Sequence, residues 1–272
     1  LVSGQEFGYR QQNSHELCAV DSCPVLLPEV DQALGVLAKR CRTAASGGMP
    51  VASGDWEIAV GDSAPARLWP LGADAHGTPR KASNVFITLA GDRFRVSPGV
   101  FTQANALLVE KLCGAVVEAA TEGRASRDYC LELFAGAGFL TLGLARVFDW
   151  VMAVESNPLA IADLVFNMQA AQQSHVQAVG VSVEVLLQDH EVPVGGVVVL
   201  DPPRQGLAPE VIEALVDRDP RRIVYLSCDP ATLARDLKRF GEHGFVLTRV
   251  EGFDLFPQTP HLEALAVLES TG

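Results

Sequence analysis

The sequence predicts an α/β fold: a doubly wound, mostly parallel sheet with a smaller N-terminal α+β region. Three observations predict it. From about Thr102 to the C-terminus, short strands alternate with helices. Those strands are apolar throughout, as in sheets covered on both faces. The first 98 residues instead have a loose texture, with Gly, Ser, Pro and Ala frequent between Thr43 and Ala82. The change in texture predicts a small region over residues 1–98 and a larger domain over 99–272.

Within the first region, Pro28–Arg40 carries Val30, Leu34 and Leu37 at helix spacing. Asp55–Val60 and Asn84–Leu89 alternate as strands do. Thr102–Glu122 reads as one long amphipathic helix, with Ala106, Val109, Cys113 and Val117 recurring at three or four. Strand Tyr129–Leu133 then leads to helix Phe139–Val147, and strand Trp150–Val154 to helix Pro158–Ala171. Strand Gly196–Leu200 precedes helix Pro209–Val216, and strand Ile223–Ser227 precedes helix Pro230–His243. Val246–Val250 and Leu265–Leu268 have no helix between them, which predicts an antiparallel pair at that edge. No internal repeat is present.

Composition narrows the function classes. Of 272 residues, 48% are hydrophobic and 20% charged, which excludes a disordered or collagen-like chain. The apolar runs are too short to span a bilayer. Leu1-Val2-Ser3-Gly4 has no basic stretch leading an apolar one, so no signal peptide is expected here and further residues are expected upstream. Six scattered cysteines do not make a disulfide framework, and together these features predict a reduced, cytoplasmic protein. The net charge of −12 excludes a broadly basic nucleic-acid binder. Residues 1–98 carry 9 Lys+Arg against 10 Asp+Glu, and residues 99–272 carry 12 against 23. A nucleic-acid partner is therefore expected to use local patches or an upstream segment. No membrane contact and no obligatory protein partner are expected.

Five motifs carry chemistry. In Leu131-Glu132-Leu133-Phe134-Ala135-Gly136-Ala137-Gly138-Phe139 a strand ends in a glycine turn before a helix. It approaches the dinucleotide-binding fingerprint, but Thr141 and Leu142 stand where the third glycine belongs. Glu155 ends the next strand, where an acid grips ribose hydroxyls or complements a helix N-terminus that Pro158 supports. Both motifs suit a nucleoside cofactor, either a nicotinamide dinucleotide or S-adenosylmethionine. Asp201-Pro202-Pro203-Arg204 follows a buried strand, at the crevice of such a sheet, and its acid-Pro-Pro turn favours S-adenosylmethionine. Cys228 ends a strand just before a helix that Ser227 or Asp229 caps, and such a helix end lowers a thiol's pKa. Cys113 and Cys130 read as small core residues. Phe256-Pro257-Gln258-Thr259-Pro260-His261-Leu262-Glu263 is a polar loop with two candidate bases, His261 and Glu263.

Taken together, the chain resembles the RNA 5-methyluridine methyltransferase family, whose members methylate carbon 5 of uridine in tRNA or rRNA. The resemblance runs from Phe94 to the C-terminus and touches residues 1–30 loosely. Its most specific stretch is Ile223-Val224-Tyr225-Leu226-Ser227-Cys228-Asp229-Pro230-Ala231-Thr232-Leu233-Ala234-Arg235-Asp236, followed by Phe256-Pro257 and His261-Leu262-Glu263. Phe94, Ser97-Pro98 and Phe101-Thr102-Gln103-Ala104-Asn105 resemble the segment that reaches the cofactor. Asp229 and Phe139 depart from the family, which often has asparagine at both places.

The resemblance implies a Rossmann-like class I methyltransferase domain that uses S-adenosylmethionine. It implies Cys228 as nucleophile toward uracil C6, Glu263 as the base at C5, and Asp201 as an orienting acid. Gln103, the Phe134 backbone, Gly136, Gly138, Glu155, Asp189 and Asp201 would hold the cofactor. Phe101, by stacking, and Arg204 would meet a flipped target base. Cys23, before Pro24, resembles the last of four iron–sulphur ligands in some members, the other three being expected upstream along with an RNA-binding β-barrel. No metal is expected within this chain itself. Three other readings compete: a cytosine-C5 RNA methyltransferase, which expects cysteine where Arg204 stands; a non-catalytic RNA- or cofactor-binding module, which has no use for Cys228 and Glu263 together; and a nicotinamide dehydrogenase, which the absent third glycine opposes.

Overall fold

The computed structural model describes residues 2–3, 6–11, 14, 16–45, 51, 54–62, 64–70, 84–103, 105, 107–123, 127–188, 192 and 196–272. The chain divides into two compact units. Leu1–Thr88 and Arg95–Gly99 form the first, and Leu89–Phe94 and Val100–Gly272 the second.

The first unit opens with β1 (Val2–Ser3), β2 (Glu6–Arg10) and β3 (Leu17–Ala19), an antiparallel three-stranded sheet. Helix α1 (Pro28–Ala45) follows, then the antiparallel pair β4 (Trp56–Gly61) and β5 (Ala64–Pro70). Strands β6 (Val85–Leu89) and β7 (Asp92–Val96) come next in the chain. Helix α1 starts at Pro28, whose fixed φ suits a first helical position. Glu29 and Asp31 lie in its first turn and Arg42 in its last, complementing the helix dipole. Its apolar stripe of Leu34, Leu37, Ala38 and Cys41 packs with Val2 and Phe7 as a small core.

The second unit is built on one seven-stranded sheet. Helix α2 (Val109–Thr121) leads into β8 (Cys130–Leu133), α3 (Phe139–Ala145), β9 (Val151–Val154), α4 (Pro158–Ala170) and β10 (Val176–Val179). Then come α5 (Val183–Leu186), β11 (Val197–Leu200), α6 (Pro209–Val216), β12 (Arg222–Ser227), α7 (Pro230–Glu242), β13 (Phe245–Phe253) and β14 (Glu263–Ser270). The spatial order is β10-β9-β8-β11-β12-β14-β13. The first five run parallel, β14 lies antiparallel beside β12, and β13 pairs antiparallel with β14 at the edge. This is the doubly wound α/β fold the sequence predicts, including its antiparallel edge.

Two features follow from this order. The chain leaves β8 toward β9 on one side and later returns to β11 on the other, so the loops after β8 and β11 diverge and open a crevice. Side chains alternate between the faces. Leu131, Leu133, Val198, Leu200, Ile223 and Tyr225 join one core cluster. Cys130, Val197, Val199, Val224, Leu226, Leu265 and Val267 join the other, with Leu112 and Val116 of α2 and Leu144 of α3. Each fully buried leucine or valine contributes roughly 1.5–3 kcal/mol.

The expected helix over Thr102–Glu122 begins only at Val109. Asn105 is the reason: its Oδ1 accepts from the Leu107 and Leu108 N–H groups at 3.1 and 3.2 Å, a local alternative to helical bonding. Ala104 and Ala106 lie outside the described residues. At the other end, Arg222 Nη1 donates to the Ala119 and Glu122 carbonyls at 2.8 and 2.7 Å and so tethers α2 to β12. Among the described residues no helix is long and apolar enough to cross a membrane.

Candidate active site

The parallel register brings the carboxyl ends of the strands to one level. Leu133 pairs with Val154 on one side and Leu200 on the other, and Leu200 with Tyr225. Ser227 pairs with Ala264. The residues beyond these positions form the crevice floor.

The glycine turn after β8 is set by positive φ values: 64° at Phe134, 56° at Gly136 and 91° at Gly138. Only Phe134 carries a side chain there, a strained conformation of the kind found at ligand sites. The turn is braced from two directions. Glu155 Oε2 accepts from the Gly136 N–H at 2.9 Å while its Oε1 accepts from the Asn157 N–H at 2.7 Å. Buried Asn167 donates to the Ala137 carbonyl at 2.9 Å. Phe134, Val154 and Glu155 also line a cleft with Val181, Ser182 and Glu184. The last three belong to a stretch, β10 to α5, that the sequence reading passed over. Its signals are Val176, Val179 and Val181, together with Ser182, whose Oγ accepts from the Val185 N–H at 3.3 Å as a helix cap.

The turn after β11 is held by helix α7. Thr232 Oγ1 donates to the Arg204 carbonyl at 3.1 Å. Arg235 donates to the Gln205 carbonyl at 2.8 Å, and Leu207 N–H donates to Asp236 Oδ2 at 2.9 Å. Asp236 is wholly buried and also accepts from the Tyr225 hydroxyl at 2.8 Å. Gly206 permits this docking: its φ is +70°, and an added Cβ would lie 2.4 Å from Asp236 Oδ2. Asp229 caps α7, its Oδ1 accepting from Ala231 and Thr232 N–H groups at 2.9 and 3.0 Å.

The strand ends gather the reactive groups. Glu132 follows Cys130 by two and Glu263 precedes Leu265 by two, so both point to the face packed by α2 and α3, while Asp201 and Cys228 directly follow the ends of β11 and β12 and interact electrostatically with Glu263. The ladder between β12 and β14 ends at the pair Ser227 and Ala264; Cys228 follows the first and Glu263 precedes the second, and the two interact electrostatically. The positive charge of Arg204 acts on the Cys228 thiol.

Burial sets the electrostatics. It pushes Glu263 up to about 8, with the nearby Asp201 adding to the rise. Burial alone pushes Asp201 up to about 7. The Cys228 thiol is raised by burial and by Glu263, and Arg204 pulls against them. This corrects the expectation that the helix N-terminus lowers the thiol's pKa: in the free protein, shielding and a neighbouring acid outweigh it.

Glu132 escaped the sequence reading, although a charged residue inside an otherwise apolar strand was the signal. It is 1% exposed, and neither of its oxygens has a hydrogen-bond partner. Thr141 on α3 faces it without closing a bond. Burial pushes this carboxyl up to about 8, Thr141 opposes, and Asp201 and Glu155 raise it further.

The remaining expected site residues are placed as follows. Gln103 has a buried, unpartnered Oε1. Phe101 is 71% exposed, so it is not a packing residue at a helix entry. His261 sets its ring edge-on to Phe256 at 6.1 Å. Asp189 lies outside the described residues. Cys23 belongs to the first unit, half-buried, with its N–H donating to Asp31 at 2.6 Å. Among the described residues, no group of three or more His, Cys, Asp or Glu is placed to hold a metal ion.

The family described as tRNA (uracil-5-)-methyltransferase matches residues 87–193 and 185–271. The chain belongs to this family. An uncharacterised RNA methyltransferase of Gloeobacter violaceus is a relative of this tRNA (uracil-5-)-methyltransferase family chain, 39% identical over 184 residues, covering 66% of this chain and 38% of its own. The 23S rRNA (uracil(1939)-C(5))-methyltransferase RlmD of Edwardsiella ictaluri is 32% identical over 290 residues, covering 97% of this chain and 65% of its own. Among solved structures, the Pyrococcus abyssi tRNA (uracil-54, C5)-methyltransferase in complex with S-adenosyl-L-homocysteine superimposes with a TM-score of 0.57 at 29% identity, covering 74% of this chain and 45% of that one. The chain thus spans between about two fifths and two thirds of the length of these relatives.

Proposed function

We propose that this chain forms 5-methyluridine in tRNA or rRNA, with S-adenosylmethionine as methyl donor and a covalent bond between Cys228 and uracil C6. The observation that carries the reading is the juxtaposition of Cys228 and Glu263 at the end of the β12–β14 ladder, each interacting electrostatically with Asp201, and Arg204 acting on Cys228. We further propose residues 99–272 as the catalytic domain, residues 1–98 as a separate smaller region, and the cytoplasm, where these RNAs lie, as its compartment.

The residues present fit the cofactor. Its ribose hydroxyls and ammonium group need acceptors, and Glu155 retains lone pairs beyond its two backbone bonds. Gln103 Oε1 is a buried acceptor without a donor. Phe134, Gly136, Gly138 and Asp201 would complete the cradle, and Asp189 is proposed at the adenine end. When bound, S-adenosylmethionine supplies an electrophilic methyl group for a carbon nucleophile.

The rest is the work of side chains. Carbon 5 of uracil is a weak nucleophile until a thiolate adds to carbon 6. The Cys228 thiol first gives its proton to solvent, Arg204 stabilises the thiolate, and the sulphur's electron pair forms the bond to carbon 6 as the C5–C6 double-bond pair moves into the enolate. Glu263 then removes the proton from carbon 5 of the methylated base, the C5–C6 double bond re-forms, and the Cys228 sulphur departs with its electron pair. Asp201 orients the base, and exposed Phe101 offers a stacking surface for a base turned out of its helix. The cytosine alternative expects cysteine directly after Pro202-Pro203, where Arg204 stands.

The test is mass spectrometry of nucleosides from tRNA and rRNA incubated with the protein and methyl-labelled S-adenosylmethionine. Label in 5-methyluridine supports the reading. Label in 5-methylcytidine alone, or none, contradicts it.

A further inference from the structure

The reactive row holds one more acid than the proposed chemistry uses. Glu132 lies at the end of β8, directly before the glycine turn, on the same face as Glu263, and interacts electrostatically with Asp201. It is 1% exposed with both oxygens unpartnered, and Glu263, at 2%, has its Oε1 unpartnered. A buried carboxylate with no donor is costly, whereas a buried neutral acid is tolerated. The ionisable groups that face Glu132 are all acidic: Cys130 on its own strand, Cys113 from α2, Asp201 beyond β11 and Glu155 beyond β9. Glu263 faces Asp201 and Cys228, and Arg204, the cation of this row, acts on Cys228. Nothing positive is thus supplied to Glu132 by the groups around it.

We infer that Glu132 is a charge-specificity residue: it holds a proton in the free protein and releases it when a cation enters the crevice, so that the site selects a positively charged ligand over a neutral one of the same shape. The inference rests on the cofactor reading above and deepens it. S-adenosylmethionine carries a sulphonium charge and its demethylated product, S-adenosylhomocysteine, does not. A carboxylate formed beneath the turn favours the first and not the second. Loss of the charge on methyl transfer then lets Glu132 take its proton back, which favours product release.

The test is calorimetry of both ligands with the 272-residue chain, in two buffers of different ionisation enthalpy, at pH 6.5 and 8.5. The wild type is expected to release more protons on binding S-adenosylmethionine than on binding S-adenosylhomocysteine at pH 6.5. The affinity ratio between the two ligands should rise by several-fold, up to about tenfold for each pH unit over which one proton is linked, as pH increases. In Glu132→Gln that extra proton release disappears and the ratio stops depending on pH, while S-adenosylhomocysteine still binds. Equal proton release for both ligands in the wild type overturns the inference and leaves the cofactor reading intact. Failure of both to bind overturns the cofactor reading, and this inference with it. If Glu132→Gln does not fold, the same measurement on Glu263→Gln, which keeps Glu132, replaces it: extra release that persists there supports the inference, and its loss assigns the proton to Glu263 and overturns it.

Discussion

Cys228 and Glu263 stand at one end of the β12–β14 ladder: Ser227 of β12 pairs with Ala264 of β14 as its last rung, Cys228 follows Ser227 and Glu263 precedes Ala264. The sheet thereby sets the proposed nucleophile beside the proposed base. The antiparallel insertion of β14 makes this possible, since it brings the start of one strand beside the end of another.

The shielding of both groups predicts a pH dependence. Glu263 is raised to about 8 and the thiol is raised too, so both are mostly protonated near neutrality in the free protein. The proposed chemistry needs the ionised forms. The methylation kcat/KM should therefore climb as pH rises through about 8 and keep climbing as the raised thiol ionises, and Arg204→Ala should move the limb to higher pH by removing the group that pulls the thiol down. A flat profile between pH 6 and 9 would contradict this.

Glu132 makes a prediction about stability. Its folded pKa of about 8 lies above its ordinary value of 4.5, so its contribution is fully present below about pH 4.5 and is lost as pH rises through about 8. Glu132→Gln should hardly change stability near pH 4.5 and should add on the order of a few kcal/mol near pH 8.5. Urea unfolding at the two pH values checks this; equal effects at both would show that Glu132 is not shielded.

The clamp on the Asp201 loop is testable through Gly206. Gly206→Ala combines a left-handed φ, costing about 1–2 kcal/mol, with a clash against Asp236. It should lower the midpoint of thermal unfolding and reduce kcat more than cofactor affinity, because Asp201 and Arg204 are displaced. An unchanged kcat would detach the clamp from the reaction.

Much of this was legible in the sequence, and the exceptions have physical causes. The β8-to-β14 order follows from apolar runs and from prolines at helix starts such as Pro158, Pro209 and Pro230. The helix start at Val109 was misplaced because Asn105 spends its side chain on backbone N–H groups, a local choice that periodicity does not report. Strand β10 lacks the wholly apolar pattern of β9 and β11 because it lies at the sheet edge and carries exposed Gln177, and α5 is a single turn with too little pattern. Cys228, Glu263 and Asp201 could be named from motifs. That they meet at one end of the sheet, and that Glu132 joins them, depends on strand register, which local sequence leaves open. The sign of the Cys228 shift was misread for the same reason: the helix end is local, whereas Glu263 arrives from 35 positions away in sequence.

Glu155 links the glycine turn to the cleft beyond it. Glu155→Ala removes a charged acceptor and should weaken S-adenosylhomocysteine binding by about 1–3 kcal/mol. Calorimetry that finds the affinity unchanged would remove Glu155 from the cofactor site.

The division of labour between Cys228 and Glu263 is the central claim, and one gel tests it most directly. Each variant is incubated with substrate RNA and S-adenosylmethionine and run under denaturing conditions. Glu263→Gln should accumulate a covalent protein–RNA adduct carrying the transferred methyl group, because the bond to carbon 6 forms and the final proton removal stalls. Cys228→Ala should bind cofactor, form no adduct and transfer no methyl group. Full turnover without adduct in Glu263→Gln, or methylation by Cys228→Ala, would contradict the account.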